Sequence, residues 1–217
     1  MRDDDPPAIT ASLLLEAYAA GIFPMAEDAS SDTVFWVDPR RRGILPLDGL
    51  HVPRRLARSF RTGAFDIRVN GDFPAVVAAC ADRPETWINP TIHRLYRDLH
   101  RLGHAHSVEI WTDGELAGGL YGVAIGAAFF GESMFSRRRD ASKFAMIALV
   151  ARLRAGGFRL LDTQFVTDHL VSLGAVEIGR ATYQGLLASA VSRPADFFAL
   201  PADASRQRLL QLSTQTS

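Results

Sequence analysis

Lysine is all but missing from this sequence. Of its 24 basic residues only Lys143 is not arginine, and 24 acidic residues bring the formal net charge to zero. A chain without net charge has no long-range field to gather a polyanion, so an anionic partner must be met by local patches. Cysteine is as scarce: a lone Cys80 excludes an internal disulfide and fits a reducing compartment. No apolar run reaches the ~18 residues that a membrane-spanning helix needs. The acidic start, MRDDDPP, has no apolar signal core, so no export and a cytoplasmic location are expected. Six histidines are scattered, and no His, Cys, Asp and Glu set has metal-ligand spacing, so they read as structural or surface groups. Nor is there a serine in a nucleophile elbow, a phosphate-binding glycine loop of the usual spacing, or an internal repeat.

What the chain has in quantity is apolar residues, 47% against 22% charged, enough for one sizeable core and a smaller lobe. They concentrate between Ser107 and Ser136. Asp113-Gly114 lies between two apolar runs, the signal for a tight hairpin. Gly118-Gly119 and Gly126 mark bulges, bends or close backbone approach. Three antiparallel strands are expected, about 107–112, 115–124 and 128–135, in a sheet covered on both faces. The last strand carries Glu132 in an apolar setting. A carboxylate there is costly to bury unpaired, so it faces a cavity or meets a partner.

Around this sheet the punctuation is regular. Thr10 or Ser12 caps a helix bearing Leu14, Ala17 and Tyr18 and stopped by Gly21. A short strand is expected over 34–37, and the basic, proline-flanked stretch 38–46 reads as a boundary after a small N-terminal lobe. A helix from Pro53 to about Phe60, a strand over 65–70 and a helix over 73–81 follow. Asn89-Pro90 opens a helix with Ile92, Leu95, Leu99 and Leu102 at helical spacing, and Asp140 caps another that ends at Gly156-Gly157. A strand over 158–165, a short helix capped by Thr167, a strand over 175–178 and a helix from about Thr182 complete the pattern, with a frayed tail after 203 and a loose one over 1–9. The class is α+β, a mostly antiparallel sheet flanked by helices.

Three features carry possible chemistry. Strand alternation turns Asp162 and Gln164 to one side, where a carboxylate and a carboxamide can orient an amine; they equally serve to tie down the following turn. Trp87 precedes a helix, as core packing or as a stacking platform for a base. Leu120, Phe129, Met134, Met146 and Leu149 are plain core or the lining of an apolar pocket. The arginines cluster at Arg40-Arg41-Arg42, at Arg54-Arg55 with Arg58 and Arg61, and at Arg137-Arg138-Arg139, as solvated faces or as a polyanion site.

Taken in order, several segments resemble the leucyl/phenylalanyl-tRNA–protein transferase family. They include Gly21-Ile-Phe-Pro-Met25, Trp36…Pro39…Arg42-Gly-Ile-Leu45, Thr86-Trp87-Ile88, Gly103-His-Ala-His-Ser-Val-Glu109, Phe130-Gly-Glu-Ser-Met-Phe-Ser136, Asp162-Thr-Gln164 and His169-Leu-Val-Ser-Leu-Gly-Ala175. The resemblance implies an acyl-CoA N-acyltransferase-like domain over 43–217 and a small, shortened N-terminal α+β domain over 1–42. It implies an enzyme that moves Leu or Phe, and Met less well, from aminoacyl-tRNA to the α-amino group of proteins starting with Arg or Lys, marking them for N-end-rule degradation. It also implies no cofactor, because the ester is already activated, and a monomer. Carried over by motif, Gln164 accepts or orients the amine and Asp162 polarises Gln164. Leu120, Phe129, Met134, Met146, Leu149 and Leu161 line the aminoacyl pocket. Glu132 lies beside the aminoacyl amine or ribose, Trp87 stacks on the terminal adenine with Met25 near it, and Arg40, Arg41, Arg42, Arg137, Arg138 and Arg139 grip phosphates. Two rivals are weaker. A coenzyme A-dependent acetyltransferase needs a glycine-rich cradle, and the stretch Ser136–Ser142 has no glycine. A non-catalytic RNA-binding module needs no Asp162 and Gln164 pair.

Overall fold

The computed structural model describes residues 9–215. The loose tail expected over 1–9 therefore lies outside the described residues, except for Ile9, which packs against the core.

In chain order the elements are α1 (Ala11–Ala19), β1 (Phe23–Met25), β2 (Phe35–Val37), β3 (Arg41–Ile44), α2 (Arg54–Thr62), β4 (Asp66–Val69), α3 (Phe73–Ala81) and α4 (Pro90–Arg101). There follow β5 (Ala105–Thr112), β6 (Glu115–Ile125), β7 (Ala128–Ser136), α5 (Ala141–Ala155), β8 (Leu160–Gln164), α6 (Asp168–Val171), β9 (Val176–Gly179), α7 (Arg180–Val191) and α8 (Arg206–Thr214). Local chemistry explains many of the boundaries. Thr10, Asp72, Asn89 and Thr167 cap α1, α3, α4 and α6 with side-chain oxygens, as short polar residues do at free amide ends. Asp113 and Gly114 take φ of 54° and 78°, the left-handed pair that a two-residue hairpin turn requires.

Seven strands form one sheet in the order β4-β5-β6-β7-β8-β3-β9, and β1 pairs with β2 separately. Every neighbour in the large sheet is antiparallel except β7 and β8, which α5 connects in parallel. A first core lies between the sheet and α5, with α2 and α8 beside it. A second fills the other face under α1, α3, α4 and α7. The sheet is thus covered on both faces, and β5 and most of β6 are buried.

Four expectations are corrected. The boundary placed over 38–46 contains β3, which inserts between β8 and β9; its Arg-Arg-Gly-Ile sequence has little strand character of its own and is held by both neighbours. The tail after 203 is not frayed: Ser205 caps α8, and Leu209 and Leu210 are buried in the first core. Asp140 stands at the N-cap of α5 without capping it; its carboxylate pairs with Arg55 at 2.8 Å instead. Leu102, counted on the α4 stripe, is 63% exposed past the end of the helix, whereas Tyr96 fills a buried position on it.

Candidate active site

The cleft arises where two parallel strands part. β7 and β8 pair only over Ala128–Phe130 and Leu160–Asp162, although β7 runs on to Ser136 and β8 to Gln164. A cleft of about 400 Å³ opens between the diverging ends, within the size range of small-molecule sites. Gly131 to Met134 line it from β7, and Leu161, Thr163 and Gln164 from β8.

Two local irregularities aim the polar side chains. In the pairing of β6 and β7, Tyr121 faces Ser133 and Gly122 faces Gly131, which leaves Glu132 as the extra residue of a bulge. Gly122 fits here because a Cβ would lie 2.2 Å from the Phe130 carbonyl oxygen. On β8, Gln164 takes a φ of 54°, a left-handed conformation rare for a residue with a side chain. The Asp162 Oδ1 holds that turn by accepting the Gln164 backbone N–H at 2.8 Å. Strand alternation therefore ends at Gln164, whose carboxamide lines the cleft while Asp162 is wholly buried behind it. Asp162 touches the backbone of Gln164 and not its carboxamide, so it positions that residue without polarising the amide.

The Asp162 carboxylate is saturated. It accepts Arg42 Nε at 3.0 and 3.1 Å, Arg42 Nη2 at 2.7 Å and the Tyr183 hydroxyl at 2.6 Å, besides Gln164. Arg42 in turn donates to the Gly21 carbonyl at 2.9 Å and lies between the Phe23 and Tyr183 rings, 4.6 Å from each centroid. Only 1% of Arg42 is exposed. The expectation that it grips phosphate is corrected on that ground: its guanidinium clamps β1, β3, β8 and α7 around Asp162.

Glu132 sits on a chain of hydroxyls. Tyr96 donates to its Oε2 at 2.5 Å, the Tyr18 hydroxyl lies 2.6 Å from that of Tyr96, and Gln164 Nε2 donates to Oε1 at 3.1 Å. The side chain keeps some contact with the cleft, yet burial of the carboxyl raises its pKa to about 7. The tyrosine hydrogen bonds oppose that shift, the Asp162 charge adds to it and Arg42 offsets part. Burial first, then the Glu132 charge, keeps the protons on Tyr18 and Tyr96.

Of the residues singled out from sequence, Met25, Trp87, Leu120, Glu132, Met134, Met146, Leu149, Leu161 and Gln164 come together around the cleft. Phe129 does not. It belongs to the paired part of β7, is fully buried and stacks on Phe197 at 5.6 Å, so the core fills its surroundings. Arg40, Arg41, Arg137, Arg138 and Arg139 are exposed away from the cleft lining. Sequence reasoning missed Tyr96, Tyr121, Arg83 and His169. The tyrosines had a signal, since a tyrosine at a buried position needs a partner for its hydroxyl. Arg83, which donates to the Ser133 hydroxyl at 2.6 Å from an exposed loop, had none. Among the described residues no His, Cys, Asp and Glu group could hold a metal ion, and no helix is long and apolar enough to cross a membrane.

An apolar pocket that opens onto a carboxylate and a carboxamide can hold an amine beside an acyl group that bears a greasy side chain, among other polar ligands. Comparison with known proteins narrows the choice. The family described as leucyl/phenylalanyl-tRNA protein transferase matches residues 44–188, and its N-terminal domain matches 8–40. The leucyl/phenylalanyl-tRNA–protein transferase of Ruegeria sp. is 59% identical over 96% of this chain and 99% of its own length. That of Paramagnetospirillum magneticum is 62% identical over 87% of this chain and 92% of its own. The chain belongs to the leucyl/phenylalanyl-tRNA protein transferase family.

Proposed function

We propose that this chain moves leucine or phenylalanine, and methionine less well, from aminoacyl-tRNA to the N-terminal α-amino group of a protein. The acceptors begin with Arg or Lys, and the new terminus marks them for N-end-rule degradation in the cytoplasm. The cleft carries this reading. Leu120, Met134, Met146, Leu149 and Leu161 give it a flexible apolar end that takes a Leu or Phe side chain and rejects charged ones by desolvation. Gln164 stands at the junction with the polar end and orients the incoming amine. Trp87 stacks on the terminal adenine with Met25 beside it. Arg40, Arg41, Arg137, Arg138 and Arg139 meet tRNA phosphates without reading sequence, so that the amino acid decides which tRNA is used. The large sheet with its diverging parallel pair supports an acyl-CoA N-acyltransferase-like fold, and the protein works as a monomer.

The test is transfer of labelled leucine from Leu-tRNA to a peptide that starts with Arg. Wild-type protein transfers it, and Gln164→Ala lowers the rate by about 10²-fold while tRNA binding survives. No transfer by wild-type protein from Leu-, Phe- or Met-tRNA ends the reading. Full activity in Gln164→Ala ends the role of that residue.

A further inference from the structure

An α-amino group has an ordinary pKa of about 7.7–8.0, so an acceptor peptide arrives mostly as an ammonium ion. It must lose a proton before its nitrogen can attack a carbonyl carbon. Gln164 cannot take that proton, because a carboxamide is not basic. Asp162 is walled off: both its oxygens are occupied by Arg42, Tyr183 and the Gln164 N–H, and it is fully buried away from the cleft. Among the described residues Glu132 is the one carboxylate that lines the cleft. Its Oε1 is held 3.1 Å from the amide nitrogen of Gln164, next to where the amine is oriented.

Resting on the function proposed above, we propose that Glu132 is the proton acceptor of the reaction, held in place by the Tyr96 and Tyr18 hydroxyls. Glu132 takes one proton from the ammonium and passes it to water. The freed lone pair forms the C–N bond, the C–O bond to the ribose 3′-oxygen breaks, and the second surplus nitrogen proton leaves with that oxygen. One proton is released for each peptide bond made.

The surroundings fit a group that gives and takes protons near neutrality. Burial lifts Glu132 to about 7, between the carboxylates that stay charged and the amine it serves. The charged and titratable groups around it are Tyr96 on α4, Tyr18 on α1, Asp162 on β8, Arg42 on β3, Tyr121 on β6 and Tyr183 on α7, and Arg83 in the loop after α3 and His169 on α6 line the same cleft. Burial keeps the four tyrosines protonated. Burial, then the Lys143 charge, lowers His169 from its ordinary value, so it loses its charge below the range in which Glu132 titrates. Tyr121 lines the same cleft, and its hydroxyl is buried without a hydrogen-bond partner.

The experiment is the pH profile, from 6 to 9, of single-turnover leucine transfer to an Arg-initiated peptide, for wild type, Glu132→Gln and Tyr96→Phe. In wild type, transfer falls as pH drops through about 7, because protonated Glu132 cannot take a second proton. Glu132→Gln is expected to lose about tenfold at pH 7, where only about a tenth of the amine is neutral, and the deficit should all but vanish at pH 9, where the amine is already neutral. A side chain that only shapes the cleft leaves the same deficit at every pH. Tyr96→Phe removes a hydrogen bond to the charged form, so its profile should shift to higher pH. It also keeps the test decisive if Glu132→Gln does not fold. A pH-independent deficit, wild-type rates in Glu132→Gln, or an unmoved Tyr96→Phe profile overturns the inference. Absence of transfer in the wild type overturns the proposed function itself.

Discussion

The two walls of the cleft are built by opposite rules. Toward α5 the lining is Leu120, Met134, Met146, Leu149 and Leu161, side chains that satisfy one another by contact alone. Across the sheet, Arg42, Asp162, Tyr183, Gln164, Glu132, Tyr96 and Tyr18 form a hydrogen-bonded series in which nearly every donor has one designated acceptor. Apolar packing degrades in proportion to the atoms removed. A buried polar network degrades by orphaning groups, which costs their whole desolvation. Under the proposed function, the wall that would admit side chains of different shape is the tolerant one, and the wall that would fix an amine is the exacting one.

Arg42→Ala tests the exacting wall hardest. It leaves the Asp162 carboxylate buried without its cation, and losing one partner of a buried pair costs about 3–5 kcal/mol. Urea unfolding should show that loss, and transfer should fall with it as the Gln164 turn loosens. Arg42→Lys should not restore it, because an ammonium cannot span the three contacts of the guanidinium fork. A cost below about 1 kcal/mol breaks the comparison.

Leu149→Ala probes the tolerant wall, and its expected cost is smaller. Leu149 is buried but borders the open cleft, so the void merges with existing space, and the loss should be about 2–3 kcal/mol, at the low end for a buried leucine. The wider pocket should favour phenylalanine over leucine, as competing transfers from the two aminoacyl-tRNAs would reveal. A destabilisation equal to that of Arg42→Ala would make the two walls alike.

How far these walls can be read in advance differs in the same way. The apolar wall was legible with help: periodicity marks Leu120, Met134, Met146 and Leu149 as core or pocket lining, and the family resemblance decides for the pocket and adds Leu161. Phe129 has the same periodicity and fails only because it lies on the still-paired side of the β7–β8 split, a tertiary fact. The polar wall was half legible. Asp162, Gln164 and Glu132 stood out as polar residues in apolar runs. Their directions did not follow, since the Gln164 φ of 54° and the bulge at Glu132 have no mark in local sequence. Arg42 sat in an arginine triplet that reads as surface, and nothing short of the strand order turns it inward. The α8 helix had a Ser205 cap and adjacent leucines, but its partner α5 lies about fifty residues upstream.

The arginine triplet after β7 belongs to neither wall and should contribute least to stability. Arg137, Arg138 and Arg139 reach their acids only at 4.0, 3.8 and 3.8 Å, with side chains 56–82% exposed. Surface pairs of this kind contribute about 0–1 kcal/mol, so the triple alanine variant should unfold within about 0.5 kcal/mol of wild type. Its effect should appear in another quantity. Removing one cation from a phosphate flattens the dependence of log K on log salt by about 0.7–0.9, so removing these three should flatten the tRNA-binding slope by about 2. Arg42→Ala, by contrast, should leave that slope alone, because its guanidinium never reaches the surface. Two arginine variants with opposite signatures, one in unfolding and one in salt dependence, would separate the cation that builds the site from those proposed to meet tRNA. An unchanged slope in the triple variant would remove this patch from the tRNA surface and leave Arg40 and Arg41 as its remaining candidates.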